Sequence, residues 1–342
     1  NLLLVDQFLQ LSAQPSLIRQ ELLAKKESIT GPVIIDEIQK LPVLLDEIHN
    51  LIEAHGFRFI LTGSSSRKLK RGGVNLLGGR AWTKHLHPLV SCEIPEFDLM
   101  RAVNFGTLPS IYQSEFPEED LRAYCGTYLK EEIHAECLVR RIENFSRFLQ
   151  VAALTNAELV NFESVSRDAA VPSKTIREFF TILEDTLVGS LLSPTGKMVH
   201  RKAVSAAKFY FFDVGVCNYL AGRRMIGQKT ELFGKSFEHF IFTELRAWLD
   251  YVGDRRPLSF WRDYAGHEVD FIIGDEIAIE VKSTEQATGK HLKGLRMFAE
   301  DVRVKRSIIV STDAAPRKIG NIEILPWKEF LTRLWSGAYS AS

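Results

Sequence analysis

The stretch Pro32 to Pro42, PVIIDEIQKLP, closes an apolar run on two adjacent carboxylates, Asp36 and Glu37. At the end of a buried parallel strand, such a pair suits phosphate chemistry. One Asp suffices to hold Mg²⁺ beside nucleotide phosphates, because the ion takes hard oxygens and keeps much of its water. Glu37 can then orient and polarise an attacking water, since phosphoryl transfer rests mostly on positioning and electrostatics. Downstream, FRFILTGSSS sets Ser64 and Ser65 at the end of a second apolar run, where a hydroxyl can sense a γ-phosphate. LLGGRAW supplies Arg80 as a cation for the phosphates of its own or an adjacent subunit. A strand ending in Asp-Glu can also simply cap the next helix and complement its dipole, so the carboxylates alone do not decide.

A second group lies towards the C-terminus, where GHEVDFIIGDEIAIEVKS carries Asp270, then Glu280 and Lys282. Residues two apart on a strand share a face, so Glu280 and Lys282 point one way while Ile279 and Val281 point into a core. A three-residue turn around Gly274 sets Asp270 opposite Glu280; a two-residue turn sets them on opposite faces. With Glu238 on a preceding helix, this is the D…ExK arrangement of metal-dependent nucleases. In it Asp270, Glu280, the Val281 carbonyl and Glu238 would ligate Mg²⁺, and Lys282 would hold the attacking water. The plainer alternative is a solvated strand face with a cross-strand Asp/Lys pair.

The elements that must carry these groups follow from periodicity. After PVIID, apolar residues Leu44, Leu45, Ile48, Leu51 and Ile52 recur at helical spacing and stop at Gly56, and FRFIL follows. Strand, helix, strand at this spacing is a parallel βαβ unit, which brings both polar strand ends to one edge. EEDLRAYCGTYLKEEIHAECL reads as a long amphipathic helix. Between Phe145 and Lys208 the pattern is helix, turn, helix, broken at Val171-Pro172-Ser173, then a hairpin from LVGSLLSP and KFYFFD. The second helix displays Lys174 and Arg177, and the hairpin adds Lys197, His200, Arg201, Lys202 and Lys208, a local basic cluster fit for phosphate contacts with weak sequence preference. A helix over GKSFEHFIFTELRAWLDYV and strands LSFWRDY, HEVDFII, IAIEVKS and RSIIVST complete the reading.

Bulk properties exclude other classes. The 43 basic and 43 acidic side chains cancel over 342 residues, so any nucleic-acid binding must come from local patches. Four cysteines without CxxC spacing argue against a zinc site or disulfide framework and for a reducing cytosol. No apolar run approaches the ~20 residues of a membrane span.

GPVIIDEIQKLPVLLDEIHNLIE, FRFILTGSSSRKLKRG and LLGGRAWTKHLHPL together resemble the Walker B to sensor 1 region of prokaryotic AAA-type ATPases that carry a C-terminal winged-helix and nuclease-like region. FGTLPSIYQS, TYLKEEI, AKFYFFDVGVCNYLAG and GKSFEHFIFTEL extend the resemblance over nearly the whole chain. In that family a GxxxxGK[ST] loop lies upstream of the carboxylate strand. The 31 residues before Pro32 contain none, so the resemblance implies a member lacking its first segment. FGKS at Phe233 to Ser236 is a decoy, since Lys229 stands where such a loop needs its first Gly.

The expected fold is α/β: a partial P-loop, AAA-type parallel sheet core over 1–91, a helical linker or lid over 92–144, a winged helix over 145–208, and an α/β PD-(D/E)xK-like domain over 209–342. ATP and Mg²⁺ are the expected cofactors and DNA the expected partner, in a cytoplasmic protein that makes no membrane contact and allows a homo-oligomer. Three functions fit: an ATPase that acts on DNA, a metal-dependent nuclease regulated by the ATPase region, and a non-catalytic binding protein gated by nucleotide.

Overall fold

The structure is a computed structural model that describes residues 1–63, 80–128, 142–196 and 204–340. It divides into two compact units, Asn1–Thr83 with Asp185–Leu187, and Lys84–Glu184 with Val188–Ser342. The expected boundary between 208 and 209 therefore falls inside the second unit. It also falls inside a strand, Lys208–Phe211.

In the first unit, helices α1 (Val5–Ala13) and α2 (Leu17–Ala24) precede strand β1 (Val33–Ile35), helix α3 (Leu44–His55) and strand β2 (Phe59–Leu61). The two strands pair in parallel, Val33 with Phe59 and Ile35 with Leu61. Helix α3 buries Leu44, Leu45, Ile48 and Leu51 and stops at Gly56, whose φ of 71° is the left-handed conformation that closes a helix. Leu2, Ile35 and Ile38 form the core with Leu44, Leu45 and Ile48 of this helix. The strands were expected to be buried, but Ile34 is 64% and Ile60 47% exposed. Helix α3 covers one face only, and alternation along each strand turns these two side chains to the other.

The second unit begins with α4 (Leu99–Phe105), α5 (Pro109–Tyr112) and α6 (Pro117–Ala123), which runs into a π-helical turn, Tyr124–Tyr128. The rest of the expected long helix lies outside the described residues. Next come α7 (Ile142–Leu154), α8 (Phe162–Ala169) and α9 (Ser173–Asp185). Asn161 caps α8 by accepting the Glu163 and Ser164 N–H groups. Phe145, Phe148, Phe179 and Phe180 pack edge-on or tilted, with ring centroids 4.9 to 5.6 Å apart. Strand β3 (Gly189–Leu192) pairs antiparallel with β4 (Lys208–Phe211), and Leu159 adds a bridge to Lys208.

Beyond α10 (Val214–Leu220) and the long α11 (Glu231–Val252) lies a six-stranded sheet of β5 (Leu258–Arg262), β6 (Glu268–Ile273), β7 (Ile277–Lys282), β8 (Arg306–Ser311), β9 (Arg317–Ile319) and β10 (Ile322–Pro326), in the order β5-β6-β7-β8-β10-β9. Helix α12 (Lys293–Asp301) joins β7 to β8, and α13 (Trp327–Trp335) follows β10. Phe271, Ile279 and Val281 pack with α11 and α13 in one core, whereas Ile272, Ala278 and Ile309 pack with Leu295 and Phe298 of α12 in another. The sheet is thus covered on both faces. Among the described residues no helix is long and apolar enough to cross a membrane.

Candidate functional sites

In the first unit, Asp36 follows the last residue of β1 and Thr62 the last residue of β2, so the parallel register sets them side by side at the carboxyl edge. The Thr62 hydroxyl donates to Asp36 Oδ1. Glu37 has φ 60°, a left-handed conformation that side chains other than Gly, Asn and Asp rarely adopt. Buried Gln39 donates through Nε2 to Glu37 Oε2 at 2.7 Å, and a Cβ on Gly63 would lie 2.3 Å from Gln39 Oε1. Close packing of Gly63 therefore fixes Gln39, which in turn holds Glu37. Hard oxygens of Asp36 and Thr62 meet at this edge, a donor set that suits Mg²⁺.

Ser64 and Ser65 lie outside the described residues. Arg80 pairs with Glu53, and this guanidinium holds the Glu53 carboxyl below its usual range. Glu53 belongs to the last turn of α3, which runs antiparallel to the strands. The structure thus places Arg80 towards the opposite edge from Asp36 and Glu37 and does not bring the three together.

The second site is built by the β6–β7 hairpin. Phe271 faces Ile279 and Ile273 faces Ile277, leaving Gly274, Asp275 and Glu276 as a three-residue turn. The same register sets Asp270 opposite Glu280. On the other side of β6 the pairing shifts by one residue between Ser259 and Trp261, so Asp270 and Phe271 stand against Phe260 alone, a bulge beside the site. This polar face is not solvated, since Asp270 is 5% and Glu280 6% exposed. The start of α12 covers it. A Cβ on Gly294 would lie 2.0 Å from the Glu268 carbonyl and 3.5 Å from Glu280 Oε2, so only glycine lets the helix approach so closely.

Lys282 Nζ lies 2.6 Å from Glu280 Oε1 and 4.0 Å from Asp270 Oδ2, which also accepts the Val281 N–H at 2.7 Å. Burial, then the neighbouring charge of Glu238, pushes the Asp270 carboxyl above its ordinary value. Burial and then Asp270 push Glu280 further in the same direction. Burial is the first cause of both shifts, and neighbouring carboxylates add to it while Lys282 works against it.

The contribution of β4 was not legible in the sequence. Lys208 was expected among exposed hairpin cations, but it is 3% exposed. Strand β4 lies between two cores: Phe209 and Phe211 enter the helical one, while Tyr210 enters that of the sheet. Lys208 shares the Tyr210 face by the two-residue period, and both reach Glu238 Oε1, at 3.1 Å from the ammonium and 2.6 Å from the phenol. Lys208 also pairs with Glu268 and stands 5.4 Å from the centre of the Phe260 ring. Burial works against its charge, yet the surrounding carboxylates hold the ammonium well above its usual range. The alternation Lys208-Phe209-Tyr210-Phe211 was the only signal in the sequence, and it does not say which face meets carboxylates.

Glu238, Glu268, Asp270, Glu280, Lys208 and Lys282 line a cleft of about 820 Å³ whose rim carries Lys235, Arg262, Lys290 and Lys293. These residues do not fit the Mg²⁺ shell expected of them. Glu238 is turned to Lys208 and Tyr210, Glu280 Oε1 to Lys282, and Asp270 Oδ2 to a backbone N–H. Among the described residues no three His, Cys, Asp or Glu side chains converge to hold a metal ion.

Of the expected DNA contacts, Lys174 and Arg177 are exposed on α9, where Arg177 lies 4.1 Å from the centre of the Phe162 ring. Arg201 and Lys202 lie outside the described residues. The FGKS stretch forms part of α11, in keeping with its reading as a decoy.

Residues 3–94 match the model of an AAA domain. Residues 96–226 match that of a domain of unknown function (DUF8612), and residues 233–330 that of another (DUF4143). The AAA and DUF4143 matches support an AAA-type ATPase family, and with it an ATPase-like function and the use of nucleotide. No curated protein and no solved structure matches the chain.

Proposed function

We propose that the chain acts as an AAA-type ATPase that hydrolyses ATP with Mg²⁺ and uses the cycle to act on DNA held by its second unit. The observation that carries this reading is the pairing of Asp36 with Thr62 at the carboxyl edge of a parallel β-α-β unit, with Glu37 fixed beside it. Asp36 would hold the Mg²⁺ of the nucleotide, and the ion would offset charge on the phosphates. Glu37 orients a water for attack, Ser64 or Ser65 contacts the γ-phosphate, and Arg80, committed to Glu53, is left the nucleotide of an adjacent subunit.

DNA is assigned to the second unit on two supports. The order α7, α8, α9, then hairpin, with Leu159 as a third strand contact, supports a winged helix, and Lys174 and Arg177 lie exposed on α9. The order α11, β5, β6, β7, α12, β8, with Asp270, Glu280 and Lys282 in D…ExK spacing, supports a PD-(D/E)xK-like fold. The buried Lys208 favours holding nucleic acid there over cutting it.

The test is Mg²⁺-dependent ATP hydrolysis by the protein as it occurs in the cell, including any residue that precedes Asn1, compared with Glu37→Gln. The expected outcome is nucleotide binding retained and turnover lowered by a factor of about 10² or more. Undiminished turnover in the variant would sink the reading. DNA affinity should weaken to a similar extent for all sequences in Lys174→Ala/Arg177→Ala.

A further inference from the structure

We propose that Lys208 is a resident cation of the acidic cluster, its ammonium held by Glu238 and Glu268 beside the D…ExK carboxylates, so that this cleft takes no divalent metal. Three observations carry the inference. First, the lysine comes from β4, outside the β6–β7 hairpin and α11, yet its ammonium contacts carboxylates from both, Glu268 and Glu238. Second, it cannot swing away into water. It is 3% exposed, its strand is paired with β3, and Tyr210 on the same face bonds the same Glu238 oxygen. Third, Lys282 sits on Glu280 and near Asp270, so each carboxylate expected to ligate a metal already faces an ammonium.

A divalent ion entering this cluster would meet both ammonium groups at close range. An ammonium offers no open coordination position and cannot generate hydroxide from water, so metal-assisted hydrolysis is not the chemistry of this arrangement. Glu280 Oε2 is buried without a hydrogen-bond partner, which makes it the oxygen available to an ion once Lys208 is gone.

The test is Mn²⁺ binding followed by electron paramagnetic resonance, in an Asp36→Ala background so that the nucleotide edge does not contribute. The expected result is no saturable binding by the Asp36→Ala chain through the millimolar range, and one saturable ion when Lys208→Met is added. Lys208→Met keeps most of the stem and removes the charge. Saturable binding by the Asp36→Ala chain that disappears with Asp270→Ala would overturn the proposal. So would failure of Lys208→Met to gain an ion, because the carboxylates and not the lysine would then be what refuses it. Should Lys208→Met not fold in metal-free buffer, refolding in Mn²⁺ decides: recovery supports the proposal and continued failure overturns it.

Discussion

Lys208 Nζ and Glu238 Oε1 lie 3.1 Å apart between β4 and α11, a strand lysine turned inward to meet a helix glutamate. A pair with a buried lysine and a partly buried glutamate adds little over a well-packed apolar substitute, but removing the lysine leaves the glutamate without its counter-charge. Lys208→Ala should therefore cost about 3–5 kcal/mol in denaturant unfolding. Lys208→Met combined with Glu238→Gln should recover part of that loss. A Lys208→Ala chain as stable as the parent would mean that the pair is solvated.

Gly106 has φ 77°, and a Cβ there would stand 2.0 Å from Asp213 Oδ1. The carboxylate cannot retreat, because it caps α10 through the Val216 N–H and accepts the Thr107 N–H at 2.8 Å. Gly222 has a similar φ of 69° but open space around it. Gly222→Ala should thus cost only the conformational strain, about 1 kcal/mol, while Gly106→Ala should cost at least ~3 kcal/mol. Equal losses in the two would show that Asp213 yields.

The parts that were legible in the sequence are those that local chemistry determines. Helix α3 and its parallel strands follow from apolar spacing and from Gly56, and most of α11 from the stretch GKSFEHFIFTELRAWLDYV. The opposition of Asp270 and Glu280 hung on a turn of two or three residues, which composition cannot decide because Gly274-Asp275-Glu276 suits either. Lys208 was unreadable for a different reason. A polar residue at a strand end looks like a surface cation until two cores are known to flank the strand. Gly294 was missed because close approach to the Glu268 carbonyl is a tertiary fact. The short edge strand β9, Arg317–Ile319, shows no apolar alternation to find.

Glu244 makes stability depend on pH. It accepts the Ser91 N–H at 2.7 Å, the Ser91 hydroxyl at 2.9 Å and Trp335 Nε1–H at 2.7 Å, yet burial pushes its carboxyl up to about 7 from an ordinary 4.5. Between these values the folded chain keeps a proton that the unfolded chain has released, so stability falls as pH rises from about 4.5 to 7 and then levels. Asp213, pushed by burial up to about 6 from 3.8, adds with the same sign at lower pH. The Glu244 contribution should be roughly 3 kcal/mol. Unfolding free energies at pH 5 and pH 8 should differ less in Glu244→Gln than in the parent, whatever the variant's absolute stability. An unchanged difference would assign the pH dependence elsewhere.

Glu37 allows function to be separated from folding. Its φ of 60° is a conformation that costs an L-residue roughly 1–2 kcal/mol, and a glycine there would relieve it at some cost in unfolded-state entropy. The hydrogen bond from Gln39 offsets part of the strain. Glu37→Gly should accordingly leave stability unchanged or raise it by up to ~1 kcal/mol, while abolishing ATP turnover. Glu37→Gln should keep the backbone strain and lose turnover equally, because a neutral amide polarises water poorly. A residue held in a strained conformation whose relief costs activity and not stability is there for its carboxylate. If Glu37→Gly instead unfolds the first unit and Glu37→Gln retains turnover, the carboxylate serves the turn and the water-orienting role passes to another side chain.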